Sequence, residues 1–428
     1  MKIRRVGLRG IGPFKEQVFD FGLGTNPELA DVVLLTGPNG SGKTSMLCAL
    51  ASAMGGSRDL EGRWTPTSAV TVELEIDSTR HWVHLQRTNP LGVPVIDVPI
   101  ALQQETSSRN RHVWINESSE EPVSIAELRT RKSESPVFAY NAFRALPPMA
   151  APFSLSDPVE DPLTGAGEFA KSIEVGAFDQ WIVSTQTKLA LATQDGDSLA
   201  AAKYGLSIST VEGAISQVIG KDFKLQVNRE PLEVVGMVDG VRTPLQYLPD
   251  GLRSLLAWIG DVLRRLDRLE KPAEVDGRLL PIVILLDEIE VHLHPSWQRA
   301  VLPVAQRLFP NAQIIVSTHS PFVVQSADDA VVIRLGPGGE LLETQGPQIG
   351  RSYRVVLEDV LGYPGTYDTQ TDKDLQDFEL LVRLVLGGEA TIEDAKSQAL
   401  ELAERRPALN SILGFHLAQI RERMELAN

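Results

Sequence analysis

Gly37-Pro38-Asn39-Gly40-Ser41-Gly42-Lys43-Thr44 is the stretch that decides how this chain is read. It spells G-x-x-x-x-G-K-T. Val32-Val33-Leu34-Leu35 precedes it, an apolar run of the kind that forms a buried parallel strand, and a helical pattern follows from Ser45 to Met54. Strand, glycine loop, helix is the context in which this motif binds phosphate. The glycines let the backbone turn tightly, so that successive N–H groups point at one anion. The helix N-terminus adds its partial positive charge. On this reading Asn39, Gly40, Ser41, Gly42, Lys43, Thr44 and Ser45 cradle ATP. Lys43 reaches the β- and γ-phosphates, and the Thr44 hydroxyl ligates Mg2+.

The rest of the composition narrows the setting. The chain has 428 residues, 43% of them hydrophobic, enough for a large core and more than one packed lobe. Its net charge is −15, which opposes a nucleic-acid backbone, so strong unassisted DNA binding is not expected. Lys2, Arg4, Arg5 and Arg9 are a local basic cluster, read as a solvated strand edge. A single cysteine, Cys48, excludes a disulfide framework and falls on the apolar helix after the loop, where it packs. The start of the chain lacks the apolar stretch of a signal peptide, and no apolar run approaches a membrane span, so a cytoplasmic protein is expected.

Along the chain, residues 2–21 alternate about a turn at Gly10-Ile11-Gly12-Pro13 and read as a β-hairpin. Ala69–Ile76 and Trp82–Gln86 read as strands. From about Pro90 to Glu230 the signals weaken to a mostly helical lobe, with helices near Phe178–Ala192 and Ser198–Gly220. Leu252, Leu255, Leu256, Ile259, Val262, Leu263, Leu266 and Leu269 then fall at helical spacing, predicting a long amphipathic helix behind Asp250-Gly251. Pro281–Leu286, Ala312–Ser317 and Ala330–Leu335 are buried strands, with a proline-containing helix at Trp297–Phe309 between the first two. Alternating buried strands and helices imply a parallel α/β sheet. The expected division is 1–90 and 231–345 for the two parts of an ATPase head, 91–230 for the inserted lobe, and 346–428 for a helical tail.

Three further constellations carry chemistry. Asp287-Glu288 ends the first of those strands; there Asp287 would hold Mg2+ through a water, and Glu288 would orient and deprotonate the attacking water. Ser317-Thr318-His319-Ser320 ends the next strand. Sequential strands tend to be neighbours, which brings His319 toward the γ-phosphate. Leu248-Pro249-Asp250-Gly251-Leu252-Arg253-Ser254 opens the long helix, with a glycine for close approach and a helix dipole for anionic oxygens. Phe138-Ala139-Tyr140-Asn141-Ala142-Phe143-Arg144 reads as core aromatics followed by a surface arginine. The His292-Leu293-His294 pair has metal-ligand spacing but no third ligand at hand.

The order of phosphate loop, Asp250-Gly251 segment, Asp287-Glu288 strand and His319 strand resembles the ABC-type P-loop ATPase heads of the SMC and RecF-like group. The resemblance implies an α/β fold, a mixed sheet with flanking helices, and a homodimer or higher oligomer closed around nucleotide. Asp250 and Gly251 would then contact the γ-phosphate held by the opposing subunit. Where that group has serine this chain has Pro249, which removes a hydroxyl and a backbone N–H and implies slow turnover unless Ser254 substitutes. Asp287-Glu288-Ile289-Glu290-Val291-His292-Leu293-His294-Pro295 is similar to the corresponding stretch in the ATPases of Septu and retron-linked anti-phage systems and in the overcoming-lysogenization-defect nucleases. The nucleases carry a metal-dependent domain after the ATPase. Here Asp372-Lys373-Asp374 sits in a polar helical stretch and reads as a solvated helix start. The resemblance therefore implies an anti-phage ATPase that regulates a separate nuclease, of the HNH type, through a tail such as Tyr353–Gly362. A RecF-like repair ATPase that binds DNA and a nucleotide-stabilised scaffold with little turnover are the other two readings.

Overall fold

A computed structural model describes residues 1–22, 30–54, 60, 62–76, 79–86, 112–113, 134–144, 161–169, 176–269, 276–363 and 367–426. They form two compact units, Met1–Val356 and Leu357–Asn428.

The first unit opens with a hairpin of β1 (Lys2–Ile11) and β2 (Phe14–Asp20). Then come β3 (Val32–Thr36), helix α1 (Lys43–Ala53), β4 (Trp64–Ile76), β5 (Thr79–Gln86), β6 (His112–Val113) and β7 (Val137–Tyr140). Helices α2 (Ala177–Asp195) and α3 (Ser198–Ile219) lead into an antiparallel meander of β8 (Phe223–Arg229), β9 (Leu232–Val238) and β10 (Val241–Pro244). Asp250–Leu255, a π turn Leu256–Gly260 and Asp261–Arg268 run on as one helix, α4. The unit continues through β11 (Val283–Leu286), α5 (Pro295–Leu308), β12 (Gln313–Ser317), α6 (Pro321–Val324), β13 (Ala330–Leu335) and β14 (Leu341–Gln345).

Two sheets enclose α1. One is antiparallel, in the order β2-β1-β4-β5-β6; the other has the order β14-β13-β3-β12-β11-β7. In the second, β13, β3, β12, β11 and β7 are parallel neighbours and only β14 runs against its partner. Strand side chains alternate between faces. Val33, Leu35, Leu285, Ile315 and Ile333 therefore share one face, and they join Val6, Leu8, Val70 and Val72 of the antiparallel sheet in one core. Helix α1 lies within that core, with Met46, Leu47, Cys48 and Leu50 all buried. A helix apolar all round is a buried helix, and this one delivers the phosphate loop from the centre of the unit.

Three expectations change. Strand β7 falls inside the stretch read as an inserted helical lobe, yet it pairs with β11 as an edge strand of the central sheet. Much of the remaining 91–230 stretch before Gly176 lies outside the described residues. Helix α4 is not amphipathic: apart from its ends it is buried nearly all round, including Asp261, Arg264 and Arg265. The N-terminal cations are ion-paired, Lys2 with Asp31, Arg4 with Glu75 at 3.5 Å and Arg5 with Glu73 at 2.7 Å.

The second unit is helical. Its helices α7 (Thr369–Gly387), α8 (Ile392–Arg405) and α9 (Asn410–Leu426) close on Phe378, Val382, Leu402, Leu413 and Ile420. It begins at Leu357, eleven residues past the expected 346. Asp368 caps α7 by accepting from the Thr371 N–H, and Asp372 lies in the first turn, as a helix start should. Among the described residues no helix is long and apolar enough to cross a membrane.

Candidate nucleotide site

The site lies at the C-terminal ends of β3, β12 and β11, where the parallel strands release their loops. In the loop after β3, Gly37, Gly40 and Gly42 all have positive φ, at 141°, 79° and 99°. Gly42 is doubly required: its backbone is left-handed, and a Cβ there would come within 2.5 Å of the Phe14 ring. The Lys43 ammonium folds inward and donates to the carbonyls of Gly37 (2.9 Å) and Pro38 (3.1 Å). Burial lowers its pKa, and the carboxylates of Asp287, Glu288 and Glu290 oppose that shift.

Thr44 starts α1 beside the end of β11. Its hydroxyl donates to the Asp287 carboxylate, 2.9 Å to Oδ2 and 3.1 Å to Oδ1. Asp287 Oδ1 also accepts from Ser317 Oγ at 2.5 Å, and Ser317 Oγ accepts from the Glu288 N–H at 2.8 Å. Sheet order explains this convergence: β12 lies between β3 and β11, so its last residue bridges both neighbouring loops. Thr44 and Asp287 together are an all-oxygen pair suited to a hard divalent cation. With the Lys43 ammonium and the left-handed glycine loop they fit a bound metal triphosphate.

Glu288 leaves β11 with φ 47°, a left-handed conformation that costs an L-residue roughly 1–2 kcal/mol. Its carbonyl accepts from Arg144 Nη2 at 2.8 Å, while Arg144 Nη1 donates to Asp287 O at 2.6 Å and to Asn141 O at 2.9 Å. Arg144 is thus not the surface residue expected: it is 3% exposed, and burial lowers its pKa to about 10 against the pull of Glu290, Asp287 and Glu288. The aromatics before it divide. Phe138 and Tyr140 are core, but Phe143 is 94% exposed.

Glu290 has no role in the sequence reading, although it stands in the quoted Asp287–Pro295 stretch. Its Oε1 accepts from the His319 N–H at 2.6 Å and its Oε2 from Thr318 Oγ1 at 2.8 Å, so it ties the loop after β11 to the loop after β12. Burial raises its pKa and those two donors oppose the rise. His319 reaches solvent, but enough of the ring is covered to lower its pKa; the Lys43 charge lowers it further and Asp287 opposes both.

The Leu248–Ser254 segment differs. Pro249 and Asp250 are exposed, and Asp250 accepts from its helix neighbour Arg253 at 3.2 Å. Gly251 is buried against its own chain: a Cβ would lie 2.6 Å from the His292 carbonyl oxygen and 2.9 Å from the Trp297 ring. Ser254 is 1% exposed, on the inward side of α4, so it does not take the place of the missing serine at the helix start. Of the histidine pair, His294 caps α5 by accepting from Ser296 N–H at 3.3 Å. No group of three metal-ligating side chains occurs among the described residues.

A glycine loop after β3, an Asp-Glu pair ending a parallel strand, a strand between them that ends at Ser317 and leads to His319, and an antiparallel sheet over α1 make up an α/β P-loop nucleotide-binding head, and the chain has a helical C-terminal unit besides. Two family models each match part of the chain: an "AAA domain" over residues 5–142, and an "AAA domain, putative AbiEii toxin, Type IV TA system" over residues 203–325.

The chain is similar to Septu proteins and to retron probable ATPases. The chain is 22% identical to the Septu protein PtuA of Bacillus thuringiensis over 396 residues, 88% of either chain. It is 34% identical to the retron Ec83 probable ATPase of Escherichia coli over 140 residues, which is 33% of this chain and only 26% of that protein. Among solved structures, the SMC head domain from Thermotoga maritima matches 78% of this chain and 95% of its own, at 16% identity and a TM-score of 0.39.

Proposed function

We propose that this chain binds ATP with Mg2+, hydrolyses it slowly, dimerises around the nucleotide, and through that cycle regulates a separate effector nuclease in anti-phage defence. The observation that carries the enzymatic part is the contact of Thr44 with Asp287, 243 residues apart in sequence and 2.9 Å apart in space. In this reading the Gly40–Gly42 backbone and Lys43 bind the phosphates, and Lys43 exchanges its loop carbonyls for phosphate oxygens. Thr44 and Asp287 hold Mg2+, which when bound draws charge from the phosphate oxygens. Glu288 orients water and accepts its proton. His319 contacts the γ-phosphate through one hydrogen bond.

Asp250 and Gly251 act from the opposing subunit. Pro249 and Asp250 are exposed at the start of α4, where a second copy can reach them. Gly251 contributes through its backbone, since its Cα is already packed against His292 and Trp297. Pro249 supplies no N–H to that helix start, which supports slow turnover. The relatives' association with Septu and retron systems supports the defence role, and the Leu357–Asn428 unit is the proposed partner-binding region.

A repair role with DNA as the direct ligand is disfavoured by the pairing of Lys2, Arg4 and Arg5 with carboxylates. The test has two parts. Phosphate release by the wild type and by Glu288→Gln is compared, alongside light scattering with and without ATP. Purification from the native host in ATP then asks for a co-purifying small nuclease. Equal phosphate release by the two proteins would refute Glu288 as the base, and recovery of recombination proteins or DNA in place of a nuclease would refute the defence role.

A further inference from the structure

Arg144 belongs to no motif that the proposed mechanism uses, yet it is bound to the two residues that mechanism depends on. Its guanidinium is buried and, among the described residues, bonds to no carboxylate; its three hydrogen bonds there go to backbone carbonyls, of Asn141, Asp287 and Glu288. Burying a cation is costly unless something specific is gained. Here the planar fork matches two successive carbonyls on the strand-end turn, a geometry that a single ammonium cannot reproduce.

Those carbonyls flank the left-handed Glu288 backbone. A residue in that region persists only when its surroundings over-determine it. The surroundings are on hand: Ser317 Oγ holds the Glu288 N–H, Arg144 holds the Glu288 carbonyl, and the Asp287 N–H donates to Tyr140 O at 2.9 Å. Arg144 is itself anchored from β7, whose next residue Asn141 donates to Phe169 O at 3.0 Å. The edge strand is therefore fixed to the turn that aims the Glu288 side chain.

Resting on the ATPase reading above, we propose that Arg144 is a positioning residue. It locks the Asp287-Glu288 turn in its left-handed form, so that the Glu288 carboxylate faces the γ-phosphate; the Asp287 carboxylate is held separately, by Ser317 Oγ and Thr44. Arg144 touches no reacting atom; it acts through the backbone of Glu288.

The test uses the full chain with Arg144→Lys and Arg144→Gln, measuring kcat, nucleotide affinity and hydrogen exchange. If Arg144 positions the base, kcat falls about 10- to 100-fold, as expected for a misplaced catalytic group. Nucleotide Kd stays within about two-fold, because ground-state binding is separate. In a Glu288→Gln background, Arg144→Lys produces no further loss, since both act on one step. Hydrogen exchange accelerates at residues 286–291 and not in the phosphate loop.

Equal losses in kcat and affinity, or exchange that rises throughout the first unit, would show a general structural role and overturn the proposal. So would an Arg144→Lys kcat equal to that of the wild type. If the wild type itself releases no phosphate, the hydrolysis reading fails while the exchange result still decides whether Arg144 locks the turn.

Discussion

The two faces of the proposed nucleotide site are built to opposite standards. The face made by β3, β11 and β12 is closed on itself: Lys43, Thr44, Asp287, Glu288, Glu290 and Ser317 each have a partner among the others or in the adjacent backbone. The face made by the start of α4 presents exposed Pro249 and Asp250, with one ion pair to Arg253. The first face is preorganised within one chain. The second is exposed, as the proposed dimer requires. Changes on the first face should therefore alter binding and chemistry in the isolated chain, and changes on the second should alter only what two chains do together.

The largest effects belong to the first face. Lys43→Ala should abolish detectable nucleotide binding, because the buried ammonium is the one cation of the loop itself; isothermal titration with ATP checks it. Glu288→Gln should keep binding but lower hydrolysis by about 10²–10⁴-fold, the range for a general base. Retained hydrolysis in Glu288→Gln with lost binding in Lys43→Ala would break the comparison at its centre, since water would then be activated from outside the first face.

Next in size is a change at the root of α4 rather than its start. Asp261 bonds Arg264 at 2.6 Å, Arg265 at 2.7 Å and Tyr140 Oη at 2.9 Å, all buried. Burial alone would raise the pKa of Asp261, but Arg265 and Arg264 together hold it below the usual carboxylate range. Arg265 also donates to the carbonyls of Pro162 and Thr164. Removing one partner of a buried ion network strands the others, so Asp261→Asn should destabilise the first unit by about 3 kcal/mol. A denaturant series with separate probes for the two units would read this, and a loss below about 1 kcal/mol would mean that the network is not what anchors α4.

At the exposed start of the same helix, Asp250→Ala should leave the melting temperature and ATP affinity of the monomer unchanged, since surface ion pairs contribute little. The ATP-dependent dimer of Glu288→Gln should weaken about ten-fold when one interfacial charge-assisted contact goes, a loss near 1.4 kcal/mol. Sedimentation with and without ATP separates the cases. Asp250 is a cleaner probe than Gly251, whose substitution would collide with His292 and Trp297 within the chain before any dimer forms.

The first face is legible in the sequence and its supports are not. The glycine loop, Asp287-Glu288 and the strands to Leu286, Ser317 and Leu335 are local patterns, and the structure places them together. Arg144 escapes such a reading because a buried arginine and a surface one look alike without the register of β7 on β11, a pairing across 146 residues (Val137 with Val283). Helix α4 has the periodicity of an amphipathic helix because its charges mimic a solvent face, when Asp261, Arg264 and Arg265 neutralise one another inside. Gly251 packs closely against His292 and Trp297 of its own chain, a contact that no local pattern could reveal.

The smallest expected effect tests the packing of α4 from its other side. Phe178 of α2 lies against Gly260 of the π turn, where a Cβ would come within 2.5 Å of its ring. Burial raises the pKa of the next residue, Asp179, to about 6. A carboxyl whose pKa is higher folded than unfolded stabilises below the unfolded value, near 4, and that stability is lost as pH rises toward 6. Above pH 6 the folded unit thus bears the cost of a partly desolvated charge. A rise of that size would correspond to about 2.7 kcal/mol for a fully enclosed group, and the partial exposure of Asp179 reduces this to about 1 kcal/mol. Asp179→Asn removes the charge and retains the shape. The variant and the wild type should have the same stability at pH 4, with the variant more stable by about 1 kcal/mol at pH 7. The reverse order, a variant that loses stability at pH 7, would mean that Asp179 is held as a useful anion at the start of α2, and that this side of α4 is organised by charge rather than by the Phe178–Gly260 contact.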